Sequence, residues 1–405
     1  MTRPSRNIVV IGAGMVGATF ACILARAGVH VTLIESSPRD PEWTPGSVDL
    51  RVSAITAASE RVFANIGAWS RMTALGVSPF RDMRVWDAAG PGEIHFDCAD
   101  IGEPRLGHII ENRVVQRALM ETLGELGIRV IRPAEVIGLT WDNAGVEIGL
   151  STGDGLTAAL AVAADGAGSR TRELAGIEVR GWSYDQKAVV ATVRTELSHR
   201  ETAWQRFLPS GPLAFLPLRD GRCSIVWSTT PAHADELVAA APESFMERLG
   251  QAFEHRLGAV IETGPRAAFP LRLQHARRYI APRLALIGDA AHAIHPLAGQ
   301  GVNLGVLDAG ALAEVILAAA VAGRDVGSEA TLRRYERWRK GDNLAMMAAM
   351  DGFKRLFGSD LTLLRLARNA GLALFDRIAP LKRLIMERAM GLTGDLPSIA
   401  RSARV

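Results

Sequence analysis

Asn7-Ile-Val-Val-Ile-Gly12-Ala-Gly14-Met-Val-Gly17 is the stretch whose reading decides the architecture. Asn7 to Ile11 is a β-branched run that reads as a buried strand, and the three glycines follow it directly. A helical pattern continues to Ala27, Gly28 caps it, and Val29 to Ile34 forms a second strand ending in Glu35. Strand, glycines, helix and acid together make the βαβ dinucleotide fingerprint in its required context. Gly12 permits the turn, Gly14 lets backbone approach a pyrophosphate, and Gly17 lets helix and strand pack closely. Glu35 suits an acceptor for ribose hydroxyls. NAD and FAD use the same fingerprint, so these residues alone leave the dinucleotide open.

A second crevice is written far downstream, in Arg283-Leu-Ala-Leu-Ile-Gly-Asp-Ala-Ala-His-Ala-Ile-His-Pro-Leu-Ala-Gly-Gln-Gly-Val-Asn-Leu-Gly305. Leu284 to Ile287 reads as a strand, Gly288-Asp289 as a turn tipped by a carboxylate, and Val302 to Val321 as a helix. The loop between them holds Pro296, Gly299 and Gly301. Asp289 would accept hydrogen bonds from sugar hydroxyls, and the helix start would offer free N–H groups. Leu160 to Ala164 adds another buried strand, closed by Asp165-Gly-Ala-Gly168. Phe80 to Phe96 and Tyr184 to Phe269 alternate apolar and polar residues and read as antiparallel strands. Arg113 to Leu126 reads as an amphipathic helix, and Val130 to Leu150 as two or three short strands. Arg51-Val-Ser-Ala-Ile-Thr is expected to open a helix, its arginine either reaching cofactor phosphates or standing as a solvated charge.

The expected fold is therefore α/β. A Rossmann-like domain comprises residues 1–79, 105–180 and 275–345. A mainly antiparallel β-domain for substrate, 80–104 and 181–274, is inserted through it. Residues 346–405 form a helical C-terminus, helical to the end from Glu329. The net charge of +3 is too small to argue for nucleic acid, but its distribution matters, because ten Lys/Arg and five Asp/Glu fall between Asp351 and Val405. Within that tail, Leu372 to Met390 carries Leu374, Ile378, Leu381, Leu384, Ile385 and Met390 among Lys382, Arg383 and Arg388. A basic amphipathic helix of this kind lies on a membrane, grips a partner helix, or packs on its own protein. Cys22, Cys98 and Cys223 lie far apart without a CxxC, which gives no cysteine metal site and suits a reducing cytosol. No apolar signal region opens the chain, and no transmembrane span is expected. Its expected place is cytoplasmic, with a peripheral position at the inner face of the membrane.

The glycine fingerprint, the Asp165-Gly166 pair and Gly288-Asp-Ala-Ala-His292 together resemble the single-component FAD-dependent aromatic hydroxylases, the group A flavoprotein monooxygenases of the para-hydroxybenzoate hydroxylase fold (GR2 type). Arg51-Val-Ser-Ala-Ile-Thr, Phe207-Leu-Pro-Ser-Gly-Pro-Leu-Ala-Phe-Leu-Pro-Leu218, His295-Pro-Leu-Ala-Gly-Gln-Gly-Val-Asn-Leu-Gly305 and Gly391-Leu-Thr-Gly-Asp-Leu-Pro look like the ubiquinone-biosynthesis branch. The resemblance covers nearly the whole chain. It implies FAD as cofactor, NAD(P)H as transient co-substrate, O2, and ring hydroxylation through a C4a-hydroperoxyflavin. By resemblance, Gly12, Gly14, Gly17 and Glu35 would hold adenosine and pyrophosphate. Arg113 would approach the pyrophosphate, and Arg51 the flavin side. Gly288 and Asp289 would meet the ribityl chain. Pro296, Gly299, Gln300, Gly301, Val302 and Asn303 would face the flavin ring, with Pro296, Gly301 and Val302 nearest the chemistry. Asp165 is linked in such enzymes to both FAD and NAD(P)H, beside its plainer reading as an acidic structural turn.

A hydroxylating flavin needs N–H donors near its ring and a dry pocket. The helix start at Gly301 to Asn303 would supply the first. Trp204, Phe207, Phe215, Leu216 and Trp227 of the β-domain would line the second. His292 and His295 tempt as base or metal ligands, but no third ligand follows at metal spacing, so the metal expectation is none and loop support is preferred. No acid or base is assigned. The expected substrate is a polyprenylated phenol or quinol ring, with a membrane surface and a quinone-biosynthesis complex as partners. The alternatives are a hydroxylase of a soluble aromatic compound and a non-catalytic flavin-binding scaffold.

Overall fold

The structure is a computed structural model that describes residues 7–38, 49–293, 301–357 and 378–402. Its first layer is a six-stranded sheet with Ile8–Ile11 near the middle, between Leu160–Ala163 and Val31–Ile34. Leu284–Leu286 extends the parallel run beyond Leu160–Ala163, Arg129–Ile131 extends it beyond Val31–Ile34, and Ile280–Ala281 adds an antiparallel edge. Each of the four central strands is buried along its length. This explains why they are continuous Val/Ile/Leu/Ala runs rather than alternating ones.

Helix Met15–Arg26 starts directly at the glycine turn and packs against helices Asn112–Glu125 and Gly301–Val321. Two glycines make that close approach possible. Gly12 has φ +100°, and a side chain there would fall 2.5 Å from the Ala164 carbonyl oxygen. A Cβ on Gly17 would sit 2.0 Å from the Gly12 carbonyl oxygen. Helix Gly301–Val321 is long and apolar enough to cross a membrane, with mean hydropathy 2.0. In this fold it is a core helix, carrying a fully buried Asp308 and covered by Met15–Arg26 and Glu329–Phe357.

The second layer is an eight-stranded sheet. Its order runs His292–Ala293, Val260–Ala276, Val179–Thr195, Cys223–Thr229, Gly211–Pro217, Thr202–Leu208, Asp82–Asp87 and Glu93–Asp97. All pairings are antiparallel except that of Thr202–Leu208 with Asp82–Asp87. One face is closed by two helices, Pro231–Ala239 and Pro242–Ala252, which pack on Phe215, Trp227 and Phe253. Phe215 and Phe253 stack at 3.9 Å, and Trp86 meets Phe253 edge-on at 5.1 Å. A small sheet of Val52–Ile55, Gly107–Glu111 and Ser78–Phe80 lies over the other face.

Three local expectations are corrected. Val52–Ile55 is a strand rather than a helix start, because Val52 and Ile55 pair with Glu111 and His108, and the helix begins only at Ala57 under a Thr56 cap. The stretch from Tyr184 to Phe269 is not all strand. Thr230, with Pro231 and then Pro242 at first helical turns, sets two helices into it. After helix Ala379–Ala389 the chain leaves helix at Gly391, φ +65°, and runs irregularly to a single 3-10 turn at Ser398–Ala400.

Candidate active site

Two recesses meet where the six-stranded layer joins the small sheet. The first is an open cleft of about 680 Å³ at the carboxyl ends of Ile8–Ile11 and Val31–Ile34. Ala13, Gly14, Glu35, Arg51, Arg113, Gln116 and Arg132 are among its lining residues. Glu35 is held in place by its own neighbours: it accepts hydrogen bonds from Ala13 N at 2.8 Å and from Ser37 N at 2.8 Å. A side chain on Gly14 would point into open space, which leaves the backbone there bare for a ligand. Arg113 donates to Glu111 at 2.8 Å, and the Arg51 guanidinium lies 5.7 Å from the Phe269 ring centroid, bridging the cleft to the eight-stranded sheet. Three arginines, a helix N-terminus and the carboxylate of Glu35 at the end of Val31–Ile34 suit a pyrophosphate-linked dinucleotide. The residues present fit FAD.

Gly288 and Asp289 form the next wall. Asp289 keeps solvent-exposed surface although protein atoms crowd its carboxyl. Desolvation pushes its carboxyl above the ordinary range, against the pull of His292 and Arg51. Behind the turn lies a polar hub that sequence reading missed. Asp308, fully buried, accepts hydrogen bonds from Gly288 N at 3.2 Å, Arg339 Nε at 2.9 Å and Asn343 Nδ2 at 3.1 Å. It also lies 2.5 Å from His292 Nε2. Burial alone would raise its carboxyl, but His292 and Arg339 outweigh that and lower it to about 2. Asn343 also donates to the Tyr279 hydroxyl, which lies 3.1 Å from His275. Burial, assisted by His292 and Lys340, pushes His275 down to about 4, so this end of the network is neutral. One signal was present in the sequence: an Asp inside an apolar helical run has to find a cation.

Asp165 stands apart from the cleft. Its carboxylate accepts hydrogen bonds from the Ser169 hydroxyl at 2.5 Å, Thr171 N at 3.0 Å and the Thr171 hydroxyl at 2.8 Å, so it organises the start of helix Arg170–Leu174. Buried Arg172 then ties this turn to the Gly288–Ala290 turn, donating to the carbonyls of Ala167 and Ala290 at 3.0 Å each. Asn303 also spends its side chain on structure. It accepts from Thr56 N at 3.1 Å and donates to Ala54 O at 2.7 Å, which stitches the start of helix Gly301–Val321 to the small sheet. Pro296, Gly299, Gln300 and His295 lie outside the described residues; Gly301 and Val302 begin the described helix.

The second recess is a partly open, mainly apolar cavity of about 180 Å³. Val52, Ala54 and Thr56 wall it on the cleft side, Ala203, Gln205, Ala214, Leu216, Val226 and Ser228 form its floor, and Ile385, Met386 and Met390 close it. Of the expected pocket residues Leu216 lines it, whereas Trp204 only borders it, because its ring packs on the opposite face against Trp86 and Phe253. Phe215 and Trp227 do not line it: strand alternation turns them to the opposite face, into the core under Pro231–Ala239 and Pro242–Ala252. Phe207 lies on the cavity face but farther along, packed with Val85 and Ile94. The pocket is built instead mostly from small and aliphatic residues of two sheets and one helix, with Phe80 and Phe96 as its aromatic members.

The class follows from this geometry. Residues 6–349 match the FAD-binding-domain family, and the chain belongs to it. It is an FAD-dependent monooxygenase with NAD(P)H as electron donor. Among its relatives, Ubiquinone hydroxylase UbiL of Rhodospirillum rubrum is 42% identical over 95% of this chain and 89% of its own length. The 3-demethoxyubiquinol 3-hydroxylase of Escherichia coli is 38% identical over 97% of this chain and 100% of its own. Among solved structures, p-nitrophenol 4-monooxygenase PnpA of Pseudomonas putida shares the fold with TM-score 0.77 at 21% identity, over 95% of this chain and 97% of that one.

Asp308→Asn keeps the shape of the hub but removes the buried carboxylate from Arg339, leaving it only the part-exposed Asp342 at 3.3 Å, which is expected to cost about 3 kcal/mol in urea unfolding near neutral pH. A carboxyl lowered from 3.8 to about 2 binds fewer protons folded than unfolded between those values. Its stabilisation is therefore present above pH 4 and is lost as pH falls towards 2, so the gap between wild type and variant should narrow over that window. A gap that stays constant down to pH 2 contradicts the assignment.

Proposed function

We propose that this chain hydroxylates the aromatic ring of a polyprenylated phenol or quinol intermediate of ubiquinone biosynthesis. The observation that carries the reading is the apolar cavity abutting the dinucleotide cleft along the Thr56–Asn303 seam. Bound FAD supplies the redox chemistry, taking a hydride from NAD(P)H and activating O2. The chain's own residues bind, orient and exclude water. Gly12, Gly14, Gly17, Glu35, Arg51 and Arg113 would hold the adenosine and pyrophosphate, with Gly288 and Asp289 on the ribityl chain. The amino end of helix Gly301–Val321 would offer a positive dipole end to the negative charge that such a cofactor carries when reduced. Val52, Ala54, Leu216 and Val226 keep the ring pocket dry, a condition productive oxygen transfer needs. The relatives named as ubiquinone hydroxylases support this substrate class.

Helix Ala379–Ala389 gives the proposed substrate its entrance. Its inner face closes the cavity, while Ile378, Leu381 and Leu384 are 39%, 41% and 56% exposed. Lys382 pairs with Asp100 at 2.9 Å, and Arg383 donates to Asp100 O at 3.0 Å, fixing the helix over the mouth. An apolar outer face flanked by cations suits the headgroup region of an anionic bilayer, from which a prenyl tail would enter.

Two outcomes are expected. Purified protein should carry flavin absorbance, and a short-prenyl phenol should stimulate its NAD(P)H oxidation with formation of a ring-hydroxylated product. Flavin that NAD(P)H never reduces, with or without the phenol, would sink the enzyme reading. In flotation with vesicles containing anionic lipid, Leu381→Ser/Leu384→Ser should lower the bound fraction several-fold, since each leucine contributes roughly 1.5–3 kcal/mol when buried. Equal partitioning of variant and wild type removes the membrane role.

A further inference from the structure

Two polar side chains in the floor of the apolar cavity have no hydrogen-bond partner among the described residues. Gln205, in strand Thr202–Leu208, is 7% exposed, and Ser228, in strand Cys223–Thr229, is 1% exposed. Both line the cavity, and neither side chain hydrogen-bonds any described residue. Thr56, also in the lining, is different, because its hydroxyl is already committed to Asn303 at 3.2 Å. A buried primary amide and a buried hydroxyl without partners are costly in a protein interior, and such groups normally find one. Here their surroundings offer none: Ala203, Ala214, Leu216 and Val226 are the neighbouring floor residues.

The strand register explains how the pair frames a ring-sized space. Gln205 lies directly opposite Ala214, and Ala214 opposite Val226, so Gln205, Ala214 and Val226 form one row across three strands. Ser228 follows two residues beyond Val226 and so shares its face. The methyl side chains of Ala203 and Ala214 leave a hollow beside Gln205. The wall across from this floor is the strand stitched to Asn303, next to the start of helix Gly301–Val321. The far end of the cavity is closed by Ile385, Met386 and Met390, which offer no hydrogen-bonding group beyond their backbone.

We propose that Gln205 and Ser228 are the specificity-determining residues that recognise the oxygen substituents of the aromatic ring, while the cavity's methionine-lined end takes the prenyl tail. This rests on the reading of the cavity as the substrate site. A phenolic hydroxyl both donates and accepts, matching the amide and the hydroxyl. A site that buries such groups discriminates against a ring lacking the oxygen, because they then stay unpaired.

The test uses FAD-loaded full-length protein and two probes, 2-farnesylphenol and farnesylbenzene, with binding followed by equilibrium dialysis. Wild type should bind the phenol about tenfold tighter than the hydrocarbon. Gln205→Leu should erase most of that preference by weakening the phenol alone, and Ser228→Ala, which adds no volume, should reduce it several-fold. Affinity for farnesylbenzene should stay within about twofold in both variants. Equal loss for the two probes, or an undiminished preference in both variants, overturns the proposal and leaves the substrate reading standing. Wild type that binds neither probe overturns the substrate reading and the proposal with it.

Discussion

The ion pair between Asp308 and Arg339 is the constraint on which the rest of the molecule depends. Asp308 is fully buried and Arg339 nearly so, and the two sit 2.9 Å apart on neighbouring core helices. Around one carboxylate are gathered the N–H of the Gly288 turn, the His292 imidazole, the Arg339 guanidinium and the Asn343 amide. Gly288 and His292 attach the turn that carries Asp289 to the core, and Arg339 and Asn343 anchor helix Glu329–Phe357 to the same carboxylate. A carboxylate with four partners cannot be moved cheaply, so the turn that presents Asp289 is rigid before any ligand arrives. Gly305 allows the same packing, since a Cβ there would lie 2.6 Å from Val16 of the first helix.

The functional site is a seam between layers. The six-stranded layer contributes a polar, arginine-rich cleft, and the eight-stranded layer contributes an apolar floor. The small sheet between them belongs to both, as Arg51 lines the cleft and Val52 the cavity. Asn303 joins the two across a long sequence separation through Thr56 and Ala54. One chain thereby sets an open, arginine-lined groove beside an apolar pocket, the pair of surroundings that the proposed cofactor and ring substrate would need. All three cysteines are buried and free, and burial pushes the Cys22 and Cys223 thiols up to about 12, so they are inert bystanders to this chemistry.

Much of this was legible in the residues. The parallel strands announced themselves as continuous apolar runs, and Gly12 and Gly17 named the tight turn and the close packing that their missing side chains allow. The cofactor cleft was readable because its residues are close in sequence to those glycines or to the Gly288-Asp289 turn. The substrate pocket was not. Large aromatics drew attention to Phe215 and Trp227, yet in a strand covered on both faces size says nothing about direction, and those two rings fill the core beneath the helices. The true floor is made of Ala203, Ala214 and Val226, residues with no chemical signature. The helices at Pro231–Ala239 and Pro242–Ala252 were hidden because short, polar-faced helices look like turns between strands. Asp165 carried a motif, and in the structure its carboxylate accepts three local hydrogen bonds that organise a helix start.

The central claim is that an aromatic ring enters the seam with its tail beneath helix Ala379–Ala389. The most direct measurement is anomalous diffraction from crystals of the FAD-loaded protein soaked with a short-chain alkylphenol that carries bromine at the end of its tail. The account predicts the bromine beside Met386 and Met390 and the ring over Ala214. Bromine in the open cleft beside Glu35 and Arg113, with the cavity empty, would contradict it.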